Sequence, residues 1–391
     1  MRRLHVCQLI TELAPAGAER CVYELARRLD GRRFDVQVVS LRGGAVADRL
    51  HACGVKVSVL GVRGRWDLLK LATLTSILRR ERIDLLHTHL FHADLAGRPA
   101  AYLASVPHIV HTVHVAEGRF RPWQFAAARL LAGCCDRIIC VSESVRSFHA
   151  RRSGLPLRRY SVVPNGIDAA AFARDEAARS RLRAQWGVGP DEILLAAVGR
   201  LDRQKGTDVL LAAMEQLTAR KWGGKLVLAG DGPERRIVEN FIAHTDCGKK
   251  VRLLGFVDDV QGLLSAADIF VMPSRWEGWP LALAEAMAAQ LPIVASDAPG
   301  ICDVLVDGQT GLMVLPEDAA ALAKAIERLA GDAELRTRLA QAARREVVQK
   351  HSIEKNIARH EEIYEEVANS FHLSRAPEFT TSRRNEKDSR E

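Results

Sequence analysis

Short apolar runs rich in branched residues alternate with longer stretches of amphipathic, helical spacing along nearly the whole chain. That alternation narrows the possible folds to strands that cross over helices onto a parallel sheet. Strands are expected over 4–10, 35–41, 55–60, 84–87, 108–112, 137–141 and 160–163, with helical patterns such as 18–29 and 67–80 between them. The register restarts after the turn tripeptide Pro164-Asn165-Gly166, followed by a polar helical stretch over 175–186. A second strand series runs over 193–198, 225–229, 251–254, 269–272 and 292–295, and helical segments over 317–329, 334–349 and 353–368 follow it.

With 391 residues, the chain is long enough for two domains that each bury a core. The expected architecture is α/β, with two Rossmann-like doubly wound domains over 1–165 and 166–350. A C-terminal helix over 351–370 is expected to cross back to the first domain. The stretch 374–391 is polar and charged and reads as a disordered tail.

Hydrophobic residues make up 48% and charged residues 27%, the balance of a chain that folds in water. No apolar run approaches the roughly 20 residues of a transmembrane helix, and the apolar stretch before Glu12 is too short for the hydrophobic region of a signal peptide. The eight cysteines lack metal-ligand spacing and read as reduced core residues. A cytoplasmic location is therefore expected. The net charge of +8 favours anionic partners. The Arg-rich stretches 79–82 and 151–159 have no interleaved aromatics and read as solvated helix faces, so nucleic acid is not expected as a partner.

The segment from Ser274 to Met287 follows a buried strand and opens a helix, with Pro280 suited to its first turn. Amides near Gly278, Trp279, Pro280, Leu281 and Ala282 would form an anion site that the helix dipole biases toward phosphate. Arg200 and Lys205 lie in the loop after the first strand of the second series, where a five-residue separation across a turn can bring both cations to one point.

Glu277 and Glu285, with seven residues between them, match the paired-glutamate motif of the retaining family 4 glycosyltransferases, the glycogen-synthase-like group 1 enzymes of GT-B fold. Further matches are Val163-Pro164-Asn165-Gly166-Ile167-Asp168, Val198-Gly199-Arg200-Leu201-Asp202-Arg203-Gln204-Lys205-Gly206, Leu228-Ala229-Gly230-Asp231-Gly232-Pro233 and Leu254-Gly255-Phe256-Val257. The resemblance covers essentially residues 1–370. It implies that Glu285 accepts hydrogen bonds from the donor ribose, that Glu277 faces the donor sugar, and that Arg200 and Lys205 sit on the donor diphosphate. Asn165, Gly199, Gly230, Phe256 and Val257 then belong to the donor site.

The loop Ala16-Gly17-Ala18-Glu19 resembles the family's Gly-Gly-x-Glu loop with Ala16 in place of the first glycine, and Gly17 is its candidate point of close approach. Four histidines, His87, His89, His111 and His114, are expected to face one cleft, without a carboxylate at ligand spacing. His114 maps onto the family's His-Thr-x-His segment, whose histidine meets the donor sugar. His87 and His89 take no assignment.

No Asp-x-Asp motif occurs. The expected activity is metal-independent transfer of a hexosyl unit from a nucleotide-diphosphate sugar, with retention, to a glycan, lipid-linked glycan or small-molecule hydroxyl, and with no cofactor. The alternative is a non-catalytic nucleotide-sugar-binding or membrane-associated GT-B protein. The run Arg119-Phe120-Arg121-Pro122-Trp123-Gln124-Phe125 joins cations to aromatics and reads either as a peripheral contact with anionic membrane or as a helix packed on its own domain.

Overall fold

The computed structural model describes residues 2–62, 64 and 67–369. The expected disordered tail over 374–391 lies outside the described residues. A first sheet holds β1 (Leu4–Ile10), β2 (Phe34–Ser40), β3 (Lys56–Val59), β4 (Leu85–His89), β5 (His108–Val113), β6 (Arg137–Cys140) and β7 (Tyr160–Val162). Its helices are α1 (Gly17–Arg28), α2 (Val46–Ala52), α3 (Leu68–Arg80), α4 (Phe91–Ala104), α5 (Pro122–Leu131) and α6 (Glu143–Ser153).

After α7 (Glu176–Trp186), a second sheet holds β8 (Leu194–Val198), β9 (Lys225–Ala229), β10 (Val251–Gly255), β11 (Ile269–Met272), β12 (Ile293–Ser296) and β13 (Leu312–Val314). Its helices are α8 (Thr207–Ala219), α9 (Arg235–His244), α10 (Val260–Ala266), α11 (Leu281–Ala288), α12 (Ala319–Gly331) and α13 (Ala333–Lys350), and α14 (Ile353–Asn369) ends the described chain.

The strand orders are β3-β2-β1-β4-β5-β6-β7 and β10-β9-β8-β11-β12-β13, and all pairings are parallel. In each sheet the order reverses beside the first strand, between β1 and β4 and between β8 and β11. Open parallel sheets bind ligands in the crevice at such reversals, beyond the carboxyl ends of the strands. The loops that leave β1, β5, β8 and β11 are therefore the ones to follow.

Successive strand residues point to opposite faces of a sheet. Val6, Leu85, Val110 and Ile139 accordingly turn to one face of the first sheet, where Ile353, Ile357, Ile363, Tyr364 and Val367 of α14 cover them. Each fully buried aliphatic side chain contributes roughly 1.5–3 kcal/mol, which holds α14 on the first sheet although it follows the second in sequence.

The two chain crossings are stitched together: Ile167 N–H donates to His351 O at 2.9 Å and Ile353 N–H to Ile167 O at 3.1 Å. At Gly166 a Cβ would lie 2.6 Å from Ile353 Cα, so only glycine lets the two strands of chain lie this close.

Three expectations need correction. Strand β13 lies in a stretch that the sequence did not mark as a strand. The helix expected from 317 begins at Ala319, because Glu317 sits at φ 66° and Asp318 caps the helix by accepting from Ala321 N–H. The cysteines are all free, but Cys53, Cys134 and Cys302 are exposed rather than in the core. Among the described residues no helix is long and apolar enough to cross a membrane.

Candidate active site

The loop after β8 is shaped by two glycines. Gly230, at φ 142°, packs so closely that a Cβ would fall 1.8 Å from Gly199 O. Gly206, at φ 64°, would place a Cβ 2.1 Å from Pro273 O. Between Gly199 and Gly206, Asp202 accepts from Gln204 N–H at 2.9 Å and starts a single 3₁₀ turn, Arg203–Lys205. This turn lays the Lys205 stem across Gly199 and carries its ammonium to Glu277 Oε1 at 2.6 Å. Gln204 Nε2 donates to Trp276 O at 3.0 Å, so the same turn also fixes the loop after β11.

Glu277 is buried, its amide donates to Pro299 O at 2.8 Å, and a Cβ on Gly278 would fall 1.8 Å from His114 O. The loop after β11 thus lies directly against the end of β5, and the two domains meet at the candidate residues themselves. Pro280 is the N-cap of α11, one position before the first helical turn where the sequence placed it, because its ψ of 107° is extended. The first intrahelical bond runs from Ala284 N–H to Pro280 O at 3.2 Å. The amides of Leu281, Ala282 and Leu283 precede it and have no carbonyl partner within the helix.

Eight buried side-chain polar atoms lack a partner among the described residues, and three of them, Ser274 Oγ, Trp276 Nε1 and Trp279 Nε1, fall in this one loop. Buried polar groups are normally hydrogen-bonded, so their concentration beside the helix start marks a place shaped for a polar ligand. Gly199, Arg200, Lys205 and Ser274 line one small cavity there. The Arg200 side chain is 65% exposed and lies 3.8 Å from Asp202, whereas Lys205 is already engaged by Glu277. The two cations therefore share a cavity without pointing at a common atom.

Glu285 does not stand open. Its carboxylate is buried and paired with Arg20 of α1, a residue the sequence reading passed over although it directly follows Glu19. Gly17 opens α1 beside Leu281, and Asn165 donates through Nδ2 to Trp279 O at 3.4 Å. Phe256 and Val257 follow β10, the edge strand of the second sheet, with Phe256 exposed and Val257 half-buried. Gly255 connects that edge to the centre by accepting from Gly230 N–H at 2.6 Å.

Three further contacts across the domains escaped the sequence reading. Arg119 donates to Asp202 at 3.3 Å, and its guanidinium lies 5.6 Å from the Trp276 ring centroid. Asp303 of the second domain accepts the Glu143 and Ser144 amides at 3.1 and 3.2 Å, which caps α6 of the first domain. Burial would raise the Asp202 carboxyl, but the Gln204 amide and Arg119 outweigh it and hold the group below its ordinary value.

The four histidines do not face one cleft. The pleat sends His87 and His89 to the face covered by α14, and His89 Nδ1 meets His114 Nε2 at 3.0 Å. His111 turns to the opposite face, where its Nδ1 lies 3.2 Å from Asp94. Asp94 also accepts from Arg98 at 2.6 Å and Thr88 at 2.7 Å, so a carboxylate does accompany one histidine, brought in from α4. Burial pushes His114 down to about 3, with His111 and His360 adding to the fall, and His111 down to about 4, where Asp94 opposes it and Arg98 adds to it. Both are neutral at pH 7. Among the described residues no group of three or more His, Cys, Asp or Glu side chains is arranged to hold a metal ion.

Residues 178–346 match the family described as glycosyl transferases group 1, and residues 15–171 match glycosyltransferase family 4. The UDP-Gal:alpha-D-GlcNAc-diphosphoundecaprenol alpha-1,3-galactosyltransferase of Escherichia coli is 26% identical over 364 residues, 89% of this chain and 93% of that one. The alpha-maltose-1-phosphate synthase of Mycolicibacterium smegmatis is 30% identical over 335 residues, 80% of this chain and 84% of that one. The crystal structure of Anabaena Alr3699/HepE in complex with UDP-glucose superposes with a TM-score of 0.86 at 22% identity, over 93% of this chain and 100% of that one.

With two doubly wound domains meeting at their switch points, the fold is GT-B. The chain belongs to the group 1, family 4 glycosyltransferases.

Proposed function

We propose that the chain transfers a hexosyl unit from a nucleotide-diphosphate sugar with retention of configuration and without a metal ion. One observation carries this reading: the Lys205–Glu277 pair, the start of α11 and the unpartnered atoms of Ser274, Trp276 and Trp279 lie together at the switch point of the second sheet.

In this reading the diphosphate rests on the α11 amides and on Arg200, whose exposed side chain is free to swing onto it. Lys205 holds Glu277 toward the sugar and adds positive charge beside the leaving phosphate, supplying electrostatically what a metal supplies elsewhere. Glu285 accepts from the ribose hydroxyls once Arg20 lets go. His114 meets the sugar from the first domain.

The acceptor oxygen attacks C1 on the face that the phosphate leaves. The C1–O bond to phosphate breaks as the new C1–O bond forms, and the acceptor proton passes to the departing phosphate oxygen. Catalysis is then mainly positioning and stabilisation of the phosphate charge.

For the acceptor we favour a lipid-linked or growing glycan. The E. coli relative is named for a diphosphoundecaprenol-linked sugar, and here a cavity of about 800 Å³ between the domains combines Phe148 and Trp276 with Arg119, Arg151 and Arg203. The helices α4 and α5 add an exposed apolar face, with Tyr102, Leu103, Trp123 and Leu130 beside Arg121, suited to peripheral contact with anionic lipid at the inner face of the membrane.

The test is turnover of α-linked nucleotide sugars in the presence of a chelator, with proton NMR of the product. Retained α configuration at undiminished rate is expected. An inverted product refutes the stereochemical part, and turnover that returns only with divalent ion refutes the metal-free part.

A further inference from the structure

On the face of the first sheet that α14 covers, the carboxyl ends of the strands are polar. Gln8 of β1, His87 and His89 of β4 and Thr112 of β5 share that face, and all four are buried. Tyr364 of α14, buried as well, enters among them. Together they form one unbroken chain of hydrogen bonds. Thr112 Oγ1 lies 2.7 Å from His87 Nε2, and His87 Nδ1 lies 2.6 Å from the Tyr364 hydroxyl. Gln8 Nε2 donates to that hydroxyl at 2.9 Å, Gln8 Oε1 lies 2.7 Å from His89 Nε2, and His89 Nδ1 lies 3.0 Å from His114 Nε2.

The polarity of this chain follows from the orientation of the Gln8 amide, Nε2 toward Tyr364 and Oε1 toward His89, once its imidazoles are neutral. They are neutral because burial, before any neighbour, drives His87 and His89 well below their ordinary range and His114 down to about 3. The carbonyl Gln8 Oε1 only accepts, so His89 Nε2 carries hydrogen and His89 Nδ1 is bare. A bare Nδ1 needs a donor, so His114 Nε2 carries hydrogen and His114 Nδ1 is left with a free lone pair. In the other direction, the Tyr364 hydroxyl accepts from Gln8, and its own buried O–H finds its acceptor in His87 Nδ1, so His87 Nε2–H donates to Thr112. Each link thus has one donor and one acceptor, and the chain ends on His114, which is half-buried where the other three histidines of the set are buried.

We infer that Tyr364 and Gln8 are positioning residues that fix the tautomer of His114, so that its Nδ1 acts as an acceptor for a hydroxyl of the donor sugar. This rests on the proposed placement of His114 beside that sugar. It gives the returning helix α14 a function beyond packing: its one tyrosine hydroxyl sets the polarity of a histidine on another element. A donor without the hydroxyl that His114 receives leaves Nδ1 unpaired in the closed site, so the locked tautomer also discriminates among sugars.

The test uses the full chain labelled with ¹⁵N at histidine, its tautomers read from long-range ¹H–¹⁵N correlations and the His114 signals assigned by their loss in H114Q. The unliganded wild-type protein should show hydrogen on His114 Nε2 and none on Nδ1 at neutral pH. Tyr364→Phe keeps the ring packing and removes the hydroxyl. It should let His114 populate both tautomers and lower kcat about tenfold, with KM for the donor changed less than twofold. Gln8→Met, which cuts the chain at the next link, should do the same, and a thermal melt of each variant reports folding separately.

Hydrogen on His114 Nδ1 in the wild-type protein overturns the inference. So does a Y364F protein with a lower melting temperature but an unchanged His114 tautomer and kcat, which would give Tyr364 a packing role alone. A tautomer that shifts while kcat stays fixed keeps the relay and overturns the placement of His114 on the sugar. The NMR readout needs no substrate, so failure of the relay and failure of the proposed activity are distinguishable.

Discussion

Replacing Arg20 with Met tests the contact that most directly joins the two halves of the candidate site. The Glu285 side chain is 4% exposed and that of Arg20 is 38% exposed, so solvent reaches the cation and not the carboxylate. Removing one partner of a fully buried pair costs about 3–5 kcal/mol, because the other charge is stranded. Here the open side of Arg20 lets water approach once the guanidinium is gone, and about 2 kcal/mol is expected for R20M. E285Q strands only a half-exposed cation and should cost about 1 kcal/mol. The double variant should therefore be more stable than the sum of the singles by about 1–2 kcal/mol, read by guanidinium denaturation followed by domain-sensitive tryptophan fluorescence. Since the proposed ribose acceptor is the same carboxylate, a nucleoside diphosphate should raise the melting temperature of R20M more than that of the wild-type protein. Additivity of the two substitutions within about 0.3 kcal/mol would refute the pairing and with it the idea that Arg20 guards Glu285.

Glu19, buried in the first turn of α1, has a carboxyl pushed up to about 7 from an ordinary 4.5, chiefly by burial, with its own backbone amide opposing and Glu12 adding. Between those values the folded chain holds a proton that the unfolded chain has released, so stability contributed at this site is greatest in acid and falls as pH rises from about 4.5 to about 7, by up to about 3 kcal/mol. Glu19→Gln should remove that slope, and its stability should exceed the wild-type value most above pH 7 in a pH series of denaturation curves. The exposed face of α4 and α5 predicts cosedimentation with anionic vesicles at low salt. A Trp123→Ser/Leu130→Ser double variant should lose most of it, and a wild-type chain that stays in the supernatant removes the membrane contact.

The strands were legible because each is a short buried run between turn residues, and twelve of them fall within a residue or two of the ranges expected from sequence. The missed one, β13, is three residues long, is preceded by the turn Asp307 to Gly311, and is recruited to the edge of the sheet by β12, a tertiary cause without a local signature. The ordered motifs of the second domain were legible for a similar reason: Gly206, Gly230 and Gly232 occupy positions where a Cβ would collide with backbone, and Gly199 is where the Lys205 stem lies across the chain.

Partnership between side chains was not legible. Arg20, Asp94 and Asp303 reach their partners over 265, 17 and 160 positions, and nothing in the local pattern distinguishes them from surface charges. The four histidines were grouped because they sit at adjacent strand ends, but alternation of side chains across the sheet divides them between two faces.

The contacts that close the two domains are made by the same loops that carry the candidate site. Arg20 holds Glu285, Arg119 holds Asp202 at the start of the turn that aims Lys205, and Gly278 lies on the His114 carbonyl. Asp303 caps α6 from across the cleft while its own Oδ2 is buried with no partner among the described residues. A helix cap is typically worth about 1 kcal/mol and the Arg20–Glu285 pair about 1–2 kcal/mol, so these polar contacts together contribute only a few kcal/mol to closure. A gap of that size can be reversed by a single bound ligand. Entry of a donor that takes Glu285 from Arg20 would remove one clasp while adding its own contacts to both domains, through the α11 amides on one side and His114 on the other. Binding and closure are then one equilibrium, and substitutions at Arg20, Arg119 or Asp303, remote from the bond that breaks, should move KM and kcat together.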